Sequence, residues 1–326
     1  MGQLVDGVWQ QDGDRTKDGH FIRPTPRFRN WVTPDGSAGP SGEGGFAAEA
    51  GRYHLYVSLS CPWAHRTIIF RKLTGLENVI SMSTVSPDML KDGWTFNKSE
   101  GSSGDDVNGK SKLSEIYLLA DPRYTGRVSV PLLWDKKRKT IVNNESPEII
   151  RMLNSAFNAF TNIHTDYYPE KLRLEIDRLN DLIYPNINNG VYRAGFATAQ
   201  AAYEQAFRGV FDTLDELDQT LSQHRYLVGN TITEADWRLF CTLIRFDAVY
   251  YSHFKCNWRH IYEYPNLSHY ARDLYQVPGV AETVNLDHIK RHYYISQDNV
   301  NPSRIVARGP QVDFSRPHNR VCLTAA

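Results

Sequence analysis

The chain has 326 residues, enough for one large domain or two ordinary ones, and its 41% hydrophobic and 23% charged residues are typical of a globular protein. Its 37 lysines and arginines balance 37 aspartates and glutamates, so the charge gives no reason to expect nucleic acid or an anionic membrane as a partner. The sequence has no secretory leader, myristoylation pattern or bilayer-spanning apolar stretch, and its four cysteines, at positions 61, 241, 256 and 322, form no disulfide framework, so we expect a reduced cytoplasmic protein.

The first 50 residues predict a long, mostly irregular arm, because they are rich in Gly, Pro, Ser and charged residues. Three arginines in this arm are interleaved with three aromatic residues: Arg23, Arg27 and Arg29 with Phe21, Phe28 and Trp31. Such interleaving occurs in nucleic-acid-binding segments, but the neutral balance of charge favours an arm that packs on its own protein.

A regular pattern starts at residue 53. The alternating run Tyr53–Val57 predicts a strand, residues 63–73 predict a helix, and residues 79–85 predict a second strand, which together form a βαβ unit. Pro62 suits the first helical position, and this places Cys61 at the N-cap. The free amides and the positive dipole end of the helix then favour the thiolate of Cys61, although a lone cysteine can also be an inert buried thiol.

The motif around Cys61 restricts its chemistry. The position of a second cysteine in a Cys-x-x-Cys pair is occupied by Ala64, so a mixed disulfide formed at Cys61 must be released by an outside thiol. The abundant thiol in cells is glutathione, which we expect as the co-substrate. A Cys61–His65 pair is less favoured, because a helix turns the side chain of His65 away.

A polar insertion at residues 86–116 interrupts this pattern, and insertions of that length tend to be functional or mobile. It carries Trp94, which either contacts a ligand or anchors the loop. The β-rich run from Arg127 to Trp134 contains Pro131, and proline in a strand belongs at an edge or a special turn. A cis bond before Pro131 would expose the Val130 backbone to a ligand, whereas a trans bond is the more frequent form.

A hairpin and a helix complete this first region. A polar turn at 135–139 and a strand at 140–142 form the hairpin, and Ser146 as N-cap with Pro147 in the first turn predicts the start of a helix. Free amides at that helix end would receive a carboxylate. The order of elements resembles the thioredoxin/glutaredoxin domain.

The chain from about residue 165 onward predicts helices. An apolar stripe at 172–183 has helical spacing, and another extends over 199–221. Thr233 as N-cap with Asp236 at the third position approximates a capping box, which begins a buried helix running to about residue 246.

Six segments together resemble the glutathionyl-hydroquinone reductases, which are the Xi-class glutathione transferases. They are Ser-x-x-Cys-Pro-Trp-Ala-His-Arg at 58–66, Arg-Val-Ser-Val-Pro at 127–131, Asn-Asn-Glu-Ser at 143–146, Asn-Gly-Val-Tyr-Arg-Ala-Gly-Phe-Ala at 189–197, Arg-Phe-Asp-Ala-Val-Tyr at 245–250 and His-Ile-Lys-Arg-His-Tyr-Tyr at 288–294. The resemblance implies the glutathione transferase fold, an α/β thioredoxin-like N-terminal domain plus an all-α C-terminal domain, and a homodimer through the helical domain. The expected limits are 1–50 for the arm, 51–155 for the thioredoxin-like domain and 165–326 for the helical domain with an irregular tail.

The same resemblance assigns roles to individual residues. Cys61 is implied as the nucleophile, Tyr192 as the proton donor and acceptor, and Tyr250 and Tyr293 as tyrosines that hold the thiolate. Glutathione is implied to bind through its cysteinyl-glycine part to Trp94, Arg127, Val128, Ser129 and Val130, and through its γ-glutamyl part to Glu145 and Ser146. No metal is expected, because His253 and Cys256 have no second pair of ligands at zinc-like spacing.

The implied reaction is the reduction of S-glutathionyl-hydroquinones through a mixed disulfide of Cys61 with glutathione, which a second glutathione releases as glutathione disulfide. Two alternatives remain: an omega-like thiol transferase or dehydroascorbate reductase, and a non-catalytic carrier of hydrophobic ligands on a transferase scaffold. The three tyrosines favour an aromatic substrate, and the presence of Cys61 together with Glu145 and Ser146 favours an enzyme.

Overall fold

The computed structural model describes residues 2–11 and 16–324. The strands are β1 (Gln3–Val5), β2 (Val8–Gln10), β3 (Thr16–Lys17), β4 (His20–Phe21), β5 (Tyr53–Val57), β6 (Ser81–Thr84), β7 (Gly126–Arg127), β8 (Leu132–Asp135) and β9 (Thr140–Asn143). The α-helices are α1 (Pro62–Leu73), α2 (Leu113–Ala120), α3 (Ser146–Ser155), α4 (Arg173–Ile183), α5 (Gly190–Gly195), α6 (Gln200–Leu221), α7 (Glu234–Arg245), α8 (Leu267–Tyr275) and α9 (Leu286–Ser296). Within the described residues, no helix is both long and apolar enough to cross a membrane.

The chain divides into two compact units, each built from separate parts of the sequence. The first unit consists of the described residues of Met1–Gly13, Pro24–Thr165 and Asp287–Ser296, and the second of those of Asp14–Arg23, Asp166–Leu286 and Gln297–Ala326. The arm therefore belongs partly to each unit, and α9 belongs to the first. The domain limits expected from the sequence stay a prediction, because compactness does not show which segments fold alone.

A four-stranded sheet in the order β6-β5-β8-β9 forms the centre of the first unit. β5 is buried along its whole length and pairs in parallel with β6 and antiparallel with β8. Parallel neighbours require a crossover connection, and α1 provides it while packing against α3. The predicted βαβ unit and hairpin are confirmed, and the second strand is shorter than predicted, at Ser81–Thr84.

The β-rich run at residues 127–134 forms two strands rather than one. Residues of β7 pair with β1 of the arm, and β8 joins the central sheet. The peptide bond between Val130 and Pro131, which lies between these strands, is cis, so the more frequent trans form is not the one adopted.

The polar insertion at 86–116 is held by hydrogen bonds to the sheet and within itself. The hydroxyl of Tyr56 in β5 donates to Asp105 Oδ1 at 2.7 Å, and the same carboxylate accepts backbone N–H groups of Val107, Asn108 and Lys110. One buried carboxylate thus organises a turn that has few apolar residues of its own.

The second unit contains α4 to α8, and its longest helix, α6, buries one face at Ala202, Ala206, Val210, Leu214, Leu217 and Leu221. The predicted capping of α7 is confirmed, because Thr233 is its N-cap and donates its backbone N–H to Asp236 Oδ2 at 2.7 Å. Asp236 also accepts from Leu227 N and from the Tyr270 hydroxyl. Burial raises the pKa of Asp236, and these hydrogen bonds oppose that effect. A π-helical turn at Phe246–Tyr250 follows α7 directly.

A buried ion pair joins the start of β5 to the end of β8 in the central sheet. Arg52, which precedes β5, donates from Nε to both carboxylate oxygens of Asp135 at 3.1 Å, and Asp135 is fully buried at the end of β8. The hydrogen bonds that Arg52 donates to Asp135 raise the pKa of Arg52. Asp135 also accepts the backbone N–H groups of Lys137 and Arg138, so it shapes the hairpin turn as well.

Replacing Asp135 with alanine should lower the free energy of unfolding by about 3–5 kcal/mol, because it leaves the buried guanidinium of Arg52 without its main partner. Glu49→Ala is the matched control, since Glu49 binds the same arginine from a side chain that is 42% exposed. The control should have a much smaller effect. Chemical denaturation of both variants measures the difference, and equal losses would contradict the assigned role of Asp135.

Candidate active site

Cys61 lies where β5 ends and α1 begins. Its backbone is extended, with φ −77° and ψ 123°, and Pro62 is the first residue of the helix, as predicted. The carbonyl of Cys61 accepts the N–H of His65 at 2.9 Å, which closes the first turn. The sulfur lies 3.6 Å from the carbonyl oxygen of Val130, and the residue is 8% exposed. The thiol is therefore directed to the connection between β7 and β8.

The N-terminus of α3 carries the two residues expected to bind the γ-glutamyl part of glutathione. The helix begins at Ser146, and its N-cap is Glu145, whereas the sequence predicted Ser146 as the cap. The difference arises because Glu145 is the last extended residue, with φ −109° and ψ 110°. Its N–H donates to Asn143 Oδ1 at 2.7 Å, and the Ser146 hydroxyl lies 3.4 Å from Arg66 Nη1 of α1.

The hydroxyl of Tyr117, in α2, connects two of the expected glutathione-binding segments. Tyr117 is fully buried, donates to the Ser129 carbonyl at 2.9 Å and accepts the Ser129 N–H at 3.2 Å. It also accepts from Asn144 Nδ2 at 3.1 Å, immediately before Glu145. Burial raises the pKa of Tyr117, so the phenol stays protonated and able to donate. The sequence pattern gave no indication of this function.

The segment that contains Arg127, Val128, Ser129 and Val130 runs from β7 to the cis proline. Val128 and Val130 are buried, and Arg127 is partly buried. Burial lowers the pKa of Arg127 from its usual value, but an arginine remains charged at neutral pH. The segment therefore combines a fixed cation with a backbone that Tyr117 orients.

Trp94 stacks on His292 of α9, with ring centroids 4.8 Å apart and planes inclined by 20°. The Nδ1 atom of His292 lies 2.9 Å from the carbonyl of Pro87, which can only accept, so Nδ1 carries the proton. Ser296 Oγ accepts the N–H of Met89 at 2.9 Å. These contacts support the interpretation that Trp94 anchors the insertion, and its contact with a ligand stays a prediction.

Tyr293 lies beside His292 on α9 and is 1% exposed. Arg291, two residues before Tyr293, forms a 2.7 Å ion pair with Asp88 and donates to the carbonyl of Glu100. α9 is thus attached to both ends of the region around Trp94, within the first unit.

In the second unit, Tyr192 of α5 and Tyr250 belong to a group of rings that we call the aromatic cluster: Tyr192, Phe196, Tyr250 and Phe254. The centroid of Tyr192 is 6.0 Å from that of Tyr250 and 5.3 Å from that of Phe254. Tyr250 and Phe254 stack at 5.5 Å. Gly195 permits this packing, because a Cβ atom there would lie 2.2 Å from the ring of Phe254.

The structure thus brings the predicted residues together in three groups. Cys61 lies with Val130 in the first unit, the rings of Trp94 and Tyr293 both contact that of His292 in the same unit, and Tyr192 lies with Tyr250 in the second. Sequence reasoning missed Tyr117 and His292 as supporting residues. Only the segment 288–294 carried a signal for His292, as a neighbour of Tyr293.

His253 and Cys256 are the two residues whose spacing in the sequence could offer metal ligands. His253 Nε2 lies 2.9 Å from Gln297 Oε1, and burial lowers the pKa of His253 to about 4. Burial raises the pKa of the Cys256 thiol. In the described part of the chain, no group of three or more His, Cys, Asp or Glu residues is arranged to hold a metal ion.

Comparison with known proteins places these residues in a family context. The model of the glutathione S-transferase N-terminal domain matches residues 60–156, and that of the C-terminal domain matches residues 200–273. The chain is 56% identical, over 98% of both chains, to glutathionyl-hydroquinone reductase YqjG of Escherichia coli strain K12. It is 51% identical to glutathionyl-hydroquinone reductase PcpF of Sphingobium chlorophenolicum, over 95% of this chain and 96% of the relative. The solved glutathione-bound structure of YqjG superimposes with a TM-score of 0.92 at 54% identity and covers 98% of this chain and 99% of that one.

Alkylation tests whether the start of α1 activates Cys61. Cys322 is exposed, whereas Cys61 is buried and Cys241 and Cys256 are fully buried. We expect iodoacetamide at neutral pH to modify Cys61 faster than Cys322, because alkylation requires a thiolate, which the helix N-terminus favours. Peptide mass spectrometry over time gives the two rates. Faster modification of Cys322 would show that exposure alone governs reactivity.

Proposed function

Because the chain belongs to the glutathionyl-hydroquinone reductases of the Xi class of glutathione transferases, and so reduces glutathionyl-hydroquinones with glutathione, we propose that Cys61 is the nucleophile of that reaction. The observation that carries this proposal is the position of Cys61 at the N-cap of α1, with Ala64 where a dithiol enzyme has its second cysteine. The site accordingly needs an external thiol to complete each cycle.

In the first step, the Cys61 thiolate attacks the glutathionyl sulfur of the substrate. A disulfide bond forms between Cys61 and glutathione while the bond from sulfur to the ring carbon breaks. That carbon takes the electron pair and receives a proton from Tyr192, so hydroquinone leaves. The two sulfur atoms are oxidised by two electrons, and the aromatic part is reduced by the same two.

In the second step, a second glutathione attacks the mixed disulfide. Its thiol proton returns to Tyr192, its sulfur bonds to the first glutathione, and Cys61 leaves as a thiolate. The net change converts one glutathionyl-hydroquinone and one glutathione into hydroquinone and glutathione disulfide. Each group is restored for the next cycle.

Glutathione binding is assigned to the residues around Cys61. Glu145 pairs with the γ-glutamyl ammonium, and Ser146 at the start of α3 receives the carboxylate, as helix amides favour anions. Trp94, Arg127 and the backbone of Val128, Ser129 and Val130 bind the cysteinyl-glycine part. Tyr117 supports this assignment, since its hydroxyl connects the Ser129 backbone to Asn144 beside Glu145.

The aromatic cluster supports a ring-shaped substrate. Tyr192 supplies a phenolic proton within a group of rings, and aromatic surfaces contact another ring favourably in offset or edge-to-face geometry. Tyr250 and Tyr293 are assigned to hydrogen bonds that favour the Cys61 thiolate without adding charge. We further propose a homodimer through the helical domain, and a cytoplasmic location, which is supported by four cysteines that form no disulfide bond.

Glutathione affinity tests the assigned binding residues. Arg127→Ala and Glu145→Ala should each weaken glutathione binding by about 1–3 kcal/mol, the range for hydrogen bonds to charged groups. Arg123→Ala is the control, because that arginine is exposed and pairs with Asp6. Isothermal titration with glutathione measures all three variants. Unchanged affinity in both test variants would show that glutathione binds at another site.

Tyr192→Phe separates this activity from that of an omega-like thiol transferase. The variant keeps the ring but loses the phenolic proton, so release of hydroquinone from the thioether should fall roughly 100-fold or more. Reduction of a small mixed disulfide needs no proton on carbon and should change only a few-fold. Both rates are measured on one preparation, with Cys61→Ala as the inactive reference. A negligible loss in both would favour the thiol transferase, and equal losses would assign Tyr192 to binding or thiolate stabilisation.

A further inference from the structure

A segment of the N-terminal arm is built into the second unit beside the aromatic cluster. Strands β3 and β4 form a small antiparallel hairpin, and the carbonyl of Gly19 in its turn accepts the N–H of Thr198 at 3.1 Å. Gly19 has φ +79°, and a Cβ atom there would lie 2.4 Å from Ala199 Cβ. Two residues later, Phe21 contacts Phe196 of the cluster at 5.2 Å between ring centroids. The arm therefore reaches the rings in a defined conformation.

Arg23 follows this hairpin and contacts the helix that carries Tyr192. Its Nε donates to Asn189 Oδ1 at 2.8 Å, and Asn189 is the N-cap of α5. Its guanidinium carbon lies 4.9 Å from the ring centroid of Tyr192 and 5.4 Å from that of Phe21. Arg23 is partly buried. The hydrogen bond and the two rings together fix the cation over Tyr192.

The positive charge of Arg23 affects the neutral phenol and the phenolate of Tyr192 differently. A guanidinium is attracted to the face of a neutral aromatic ring, and it stabilises a phenolate more strongly because that ring carries a full charge. The rings of Phe196, Tyr250 and Phe254 also pack around Tyr192, and aromatic faces stabilise a phenolate poorly. The guanidinium of Arg23 therefore lowers the cost of transferring the Tyr192 proton to the substrate.

We propose that Arg23 is a positioning residue for the proton transfer: it orients Tyr192 through Asn189 and stabilises the phenolate that Tyr192 becomes. The inference rests on the proposed role of Tyr192 and gives the arm a specific function in the reaction. Arg23 exchanges no proton and makes no bond in either step. Its loss should therefore lower kcat for thioether cleavage and leave the KM for glutathione unchanged.

Three single variants test this proposal. Arg23→Met keeps the length of the side chain but removes the charge, and it should lower kcat for hydroquinone release roughly 10-fold. Arg23→Lys keeps the charge and should recover most of that loss. Arg27→Met is the matched control, because Arg27 is another arm arginine that lies over a tyrosine ring, at 5.6 Å from Tyr124, which has no assigned role. The control should keep the parent rate.

Mixed-disulfide reduction on the same preparations reports whether each variant is folded, since it requires Cys61 and glutathione but no ring proton. We expect Arg23→Met to stay within about two-fold of the parent in this reaction. An equal loss in both reactions would mean that Arg23 only supports the fold and would overturn the proposal. If Arg23→Met does not fold, Arg23→Lys carries the test. A thioether-cleavage rate of Arg23→Lys equal to that of the parent supports the proposal. A loss by Arg23→Lys in disulfide reduction alone overturns it.

A double-mutant cycle separates failure of this inference from failure of the proposed function. If Arg23 acts through Tyr192, adding Arg23→Met to Tyr192→Phe should cause no further loss of thioether cleavage. An undiminished 10-fold loss in that background would overturn the inference and leave the role of Tyr192 intact. A Tyr192→Phe enzyme without a selective loss would instead overturn the role of Tyr192, and the function of Arg23 with it.

Discussion

The geometry of the first unit depends on the parallel pairing of β5 with β6. Parallel strands cannot be joined by a tight turn, so the chain must leave β5, form α1 and return. This requirement places the start of a helix at the end of a buried strand, and Cys61 occupies that point. The antiparallel register of β8, which pairs Leu132 with Tyr56, brings the residues before Leu132 alongside the end of β5. The Val130 carbonyl therefore lies near the sulfur as a result of strand register.

Hydrogen bonds from buried side chains then fix the segments around Cys61. Tyr117 binds both the Ser129 backbone and Asn144, and a single buried hydroxyl can do so because it donates once and accepts more than once. His292 holds Trp94 by stacking while its Nδ1 proton binds Pro87. Neither residue is among those implied to touch glutathione, yet each determines where a proposed contact residue lies. Preorganisation of this kind keeps irregular backbone in one conformation at a site.

The arm contributes both to the segment assigned to glutathione binding and to the group of rings assigned to the aromatic substrate. Its β1 strand pairs with β7 directly before the cis proline segment, and its β3–β4 hairpin brings Arg23 to the aromatic cluster. An arm rich in glycine and polar residues has little apolar surface of its own, so its ordered parts rely on pairing with residues distant in sequence. In this protein those partners belong to regions assigned to glutathione and to the aromatic ring. The interleaved arginines and aromatic residues, interpreted from the sequence as packing, include a contact to Tyr192.

Features that depend on neighbouring residues could be predicted from the sequence. The strand into Cys61, the helix start at Pro62, the missing second cysteine at Ala64 and the capping of α7 at Thr233 all follow from local spacing and backbone preference. Tertiary structure alone decided the cis Val130–Pro131 bond, the assignment of α9 to the first unit, and the contacts of Tyr117, His292 and Arg23. Local pattern cannot give these, because the contacts of His292 and Arg23 each join residues more than a hundred positions apart, and only the closed fold selects which distant groups meet.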